Sequence, residues 1–196
     1  MNLKSYFEVY ELSLMLLFAL GSAMLNTYLS IKAFTQWLGV PGPAAGMAFL
    51  GGFIFVFWVA LAYVIIKKRY AGIVTSLLIA SFCIIITPWY GIVSPIWFGI
   101  YAIVALLSMG SIVELMASAS KSKSKSKSKS RVGGVTVTGG GLGNVACLAI
   151  TWIAIGVHAG VWIPSKWAPI LILGAFVSGC AGSLMAYFLS LFLRSE

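Results

Sequence analysis

Few residues of this chain could do chemistry. It has one histidine, His158, and three cysteines, Cys83, Cys147 and Cys180, which lie in apolar runs without CxxC spacing. That excludes a histidine-rich metal cage built by this chain alone, and the thiols read as small hydrophobes. Apart from Glu11 at the very start of the first predicted span, Glu114 is the one acidic residue inside a span, and a lone carboxylate does not make a proton relay. GxxxxGK[ST], HExxH, GxSxG and Asp-rich magnesium motifs are all missing. GGGLGN at Gly139 to Asn144 follows no strand, so it is not a dinucleotide loop. We therefore expect no catalytic residues, metal ligands or cofactor. What remains is a set of rings and polar groups: Trp89, Trp97, Tyr101, His158 and Trp162, with Asn26 and Lys32. Flat rings with a few orienting groups are what a small-molecule pocket needs.

The elements that must position them are set by composition. Of 196 residues, 61% are hydrophobic and only 13 Lys or Arg and four Asp or Glu are charged. Mean hydropathy is +1.03. A soluble globule has about a quarter of its residues charged, so this sequence reads as an all-α, multi-pass membrane protein. The net charge of +9 then belongs to loops that orient the spans, and no nucleic-acid partner is expected.

Spans of about 20 apolar residues divide the chain into six helices. They are expected at about Glu11 to Phe34, Ala44 to Ile66, Ala71 to Thr87, Pro95 to Ala117, Gly141 to Trp162 and Ala168 to Leu193. The whole chain is one membrane domain. Residues 118–140, rich in Ser, Lys and Gly, are expected as a low-complexity linker between helices 4 and 5. The alternative for its lysines is an electrostatic tether to anionic lipid. With the N-terminus inside, 11 basic residues fall on the cytoplasmic face, against Lys32 and Lys166 outside. The positive-inside rule thus predicts a cell-membrane protein with both termini cytoplasmic.

All six prolines and five of seven tryptophans then fall at the outer side. His158 precedes Trp162, and Trp97 precedes Tyr101, by one helical turn, so each pair is expected on a common face at one outer depth. Two readings compete: an outward-open aromatic pocket, or an interfacial aromatic belt. A helix-to-helix hydrogen bond is the plain alternative for His158, as snorkelling is for Lys32. Glu114, near the inner end of helix 4, is expected to snorkel or to pair with Arg69 or Arg131. Small residues recur at helical spacing: Ala19 with Ala23, Gly156 with Gly160, and Gly174 with Ser178 and Gly182. Such stripes let helices approach closely in lipid, within the chain or against a partner. No internal repeat and no helix-breaking midplane element is expected, which disfavours a solute carrier acting alone.

AxxxA on helix 1, PGPAAGMAFLGG leading into helix 2, TPWYG after helix 3, six helices and a mass near 20 kDa give the chain a family likeness. It resembles the substrate-binding S components of energy-coupling factor vitamin transporters, particularly members for thiamine or its pyrimidine precursor. The resemblance implies ligand binding at the outer face without ATP hydrolysis. It implies docking through Ala19 and Ala23 on a transmembrane coupling subunit driven by ATPase subunits. It also implies an aromatic ligand held by Trp89, Tyr90, Trp97, His158 and Trp162, with Asn26 hydrogen-bonding. The sequence departs from thiamine-type members in its acidic residue, since Glu114 lies far from the outer cluster. The metal-specific branch carries a histidine after the first Met, where this chain has Asn2. The competing class is a non-catalytic accessory subunit of a larger membrane complex.

Overall fold

The computed structural model describes residues 6–29, 43–86, 95–123, 129–160 and 162–193. They form six helices and no strand. Helix α1 is Val9–Tyr28. Helix α2 is composite: Pro43–Gly51, a π-helical turn Gly52–Val56, and Phe57–Ile66. Then follow α3, Ala71–Ile85; α4, Pro95–Lys123; α5, Lys129–Ala159; and α6, Ala168–Phe192. Five of these are long and apolar enough to cross a membrane, whereas α3 has 15 residues. At 1.5 Å per residue α3 extends about 22 Å, short of the roughly 30 Å hydrocarbon core.

Lipid tails are as apolar as leucine, so helices in a bilayer associate through close packing and hydrogen bonds rather than through hydrophobic burial. The residues follow that rule. Large side chains such as Leu173, Val177, Phe188 and Phe192 of α6 are exposed, while Ser178, Gly179, Gly182 and Ser183 are buried. A Cβ added to Gly52 would overlap the Ser178 carbonyl, and one on Gly182 would overlap the Gly52 carbonyl. A Cβ on Gly179 would likewise overlap the Gly140 carbonyl. α6 thus lies against both α2 and α5 at glycine-only distances.

The helices extend further into the Ser/Lys/Gly segment than expected. The Ser/Lys/Gly segment is not wholly a linker: α4 continues to Lys123 and α5 begins at Lys129, and residues 124–128 lie outside the described residues. The glycines there serve as contact faces rather than as breakers. Gly139 meets the Met116 side chain and Gly140 meets Ser183. α2 departs from regular α geometry near its middle, at the π-helical turn, and continues as helix on both sides of it.

Candidate functional site

The π-helical turn is fastened from two sides, and a third side chain ties the helices beside it. Ser22 of α1 donates its hydroxyl to the Ile54 carbonyl at 2.5 Å. The Gly52 amide donates to the Ser178 hydroxyl of α6 at 3.0 Å. Asn144 of α5 donates from Nδ2 to the Ala175 carbonyl at 2.9 Å and to the Met47 carbonyl at 3.5 Å. A widened turn leaves backbone groups misaligned for i→i−4 bonding, and in lipid each needs a partner. These three polar side chains are fully or almost fully buried. Sequence reasoning recognised Ser178 only as part of a small-residue stripe and assigned no role to Ser22 or Asn144. The adjacent glycines Gly51 and Gly52 were the available signal.

The predicted ligand set is only partly brought together. Tyr101 of α4 and His158 of α5 meet edge to face, with ring centroids 5.1 Å apart at 77°. Tyr101 also packs against the main core, and His158 is exposed. Trp162 does not share a helical face with His158, because α5 stops at Ala159. Gly160 takes φ +65°, a left-handed conformation that costs an L side chain strain, and its N–H closes on the Gly156 carbonyl at 3.1 Å. A Cβ on Gly156 would stand 2.6 Å from the Trp162 ring. Trp162 is 60% exposed.

Asn26 is fully buried and donates to Cys83 Sγ at 3.6 Å, tying α1 to α3. Lys32, Trp89 and Tyr90 lie outside the described residues, as does the side chain of Trp97 on the first turn of α4. Ala19 and Ala23 are fully buried within the chain's own core. That face of α1 is spent on internal packing. A groove of about 690 Å³ lies elsewhere, between α5 and α6, lined by Leu142, Val145, Ala168, Pro169, Ile172, Leu173 and Phe176. Among the described residues, none of the predicted ligand residues lines it.

At the opposite end of the bundle, Glu114 is almost fully buried. Its carboxylate accepts the amides of Tyr70 and, at 3.4 Å, Ile73. It therefore caps the start of α3, where a negative group meets unpaired N–H donors and the positive end of the helix dipole. Among the described residues its partners are these backbone amides rather than Arg69, and the side chain of Arg131 lies outside the described residues. The acidic partner in an ion pair is instead Glu11, 2.7 Å from Lys68 Nζ. Lys68 also donates to the Tyr6 carbonyl at 3.2 Å. The Glu11 hydrogen bond holds the Lys68 pKa above the ordinary lysine value.

The described residues thus offer an aromatic–imidazole pair at one end of the bundle and a clamped basic turn at the other. Comparison with protein-family models, curated proteins and solved structures found no match.

Proposed function

We propose that this chain is the substrate-binding membrane subunit of a vitamin or vitamin-precursor uptake transporter of the energy-coupling factor type. In this reading all six helices span the cell membrane, with both termini cytoplasmic. The observation that carries it is the Tyr101–His158 pair. An aromatic face beside an imidazole can stack on a small ring while donating or accepting a hydrogen bond, and both residues lie at the end assigned outward by the charge count. The ATPase-driven coupling subunit then contacts some surface other than the Ala19–Ala23 face.

Native mass spectrometry of the purified chain tests this reading. A co-purified small molecule should be present and should be lost from Tyr101→Ala and His158→Ala. Undiminished retention in both variants would exclude this pair as the site. The exposure of His158 and Trp162 favours a second reading, an accessory subunit whose end packs on another membrane protein. That reading expects a co-purifying protein partner and no small molecule.

A further inference from the structure

We propose that the turn Lys67–Tyr70 binds the phosphate of an anionic phospholipid in the surrounding bilayer. The chain reverses between the last residue of α2, Ile66, and the first of α3, Ala71. Two of the four residues between them, Lys67 at φ 59° and Tyr70 at φ 68°, adopt the left-handed conformation that glycine takes at least cost. Glycine or asparagine would suit that backbone better. The turn instead spells Lys-Lys-Arg-Tyr. Non-glycine residues persist in such conformations where their surroundings fix them, and they gather at ligand clamps.

The surroundings here are specific. Lys68 is drawn onto the Glu11 carboxylate and the Tyr6 carbonyl. Glu114 holds the Tyr70 and Ile73 amides from within the bundle. The ring of Tyr6 lies 6.3 Å from that of Tyr70. With Lys68 engaged, Lys67 and Arg69 remain exposed on either side of it, and among the described residues neither has an acidic partner. The Arg69 guanidinium lies 5.7 Å from the centroid of the Tyr70 ring. The Tyr70 and Ile73 amides are already occupied by Glu114, so the two side chains supply the positive charge.

Their position selects the ligand. The turn directly follows a helix long and apolar enough to cross a membrane, so a bilayer crossed by that helix would put the turn at headgroup level, where Tyr70 is a favoured amphipathic ring. A guanidinium meets phosphate oxygens through two parallel N–H donors, and Lys67 adds a compact second charge. Lys68 and Glu114 hold the turn in place without a lipid, and such preorganisation lowers the ordering cost of binding.

The test uses the full chain in detergent, titrated with phosphatidylglycerol or phosphatidylcholine of identical acyl chains and read by native mass spectrometry. Wild type should retain phosphatidylglycerol in preference to phosphatidylcholine. Lys67→Gln and Arg69→Gln should each weaken that retention about fivefold, with phosphatidylcholine unaffected and the elution volume unchanged. A chain with glutamine at the five lysines from Lys121 to Lys129 should keep a tightly held phosphatidylglycerol. Equal retention of the two lipids by wild type overturns the proposal. So does full retention by both single variants, or loss only when the 121–129 lysines are changed.

Discussion

The Gly52 amide reaches the Ser178 hydroxyl at 3.0 Å across a contact with no room for a Cβ on the glycine. The two residues therefore predict different losses. Ser178→Ala should leave a buried N–H unpaired and lower stability by about 1–3 kcal/mol. Gly52→Ala should cost at least the roughly 3 kcal/mol at the upper end of overpacking, because the obstacle is backbone rather than a movable side chain. Thermal unfolding in detergent checks both. Equal effects would mean the hydrogen bond, rather than the close approach, dominates.

Glu114→Ala should free the amides at the start of α3. A loss of about 1.5–3 kcal/mol is expected for hydrogen bonds to a charged acceptor. Amide exchange should accelerate at Tyr70 and Ile73 before it does in the middle of α3. Uniform acceleration along the helix would argue against a capping role.

Ala19→Trp and Ala23→Trp should fail at folding rather than at coupling. Both positions are fully buried, and inserting an indole there demands displacement of α1 from its neighbours. The expected result is loss of monodisperse protein on size exclusion. Well-folded variants lacking only uptake would restore an outward docking role for this face.

The Lys68–Glu11 pair predicts an alkaline dependence. The folded-state pKa of Lys68 is raised by its hydrogen bond to Glu11. Its contribution is thus fully present below the unfolded lysine value and disappears as pH rises through the folded one. The melting-temperature gap between wild type and Lys68→Met should be constant near neutrality and close at strongly alkaline pH. A gap that persists there would assign the stabilisation to the lysine stem.

The six helices were legible because their apolar runs are interrupted by Pro, Gly and basic residues. Ala71 and Pro95 start helices where expected, Ile66 ends α2, and α6 matches to within a residue. The N-terminal extension of α5 was not legible: Gly has poor and Ser only intermediate helix propensity, and closely spaced lysines repel one another, whereas in the fold Gly139 packs against α4 and Gly140 and Gly141 against α6. The Tyr101–His158 contact was anticipated only as a shared depth. The break between His158 and Trp162 hinges on one positive φ at Gly160, which periodicity does not register. Burial of Ala19 and Ala23 depends on which side of α1 meets its neighbours, and AxxxA reads the same for either outcome.

The π-helical turn amounts to one residue more than an α-helix of the same span would hold. Phe53, 40% exposed within it, is the natural residue to remove. Its deletion would yield an uninterrupted α-helix with better internal hydrogen bonding. It would also rotate one half of α2 by about 100° against the other, so that either Ala45 and Met47 or Val59 and Leu61 would turn away from the interior. The extra residue therefore works as a phase shift. It lets a single helix serve two differently oriented halves of one core.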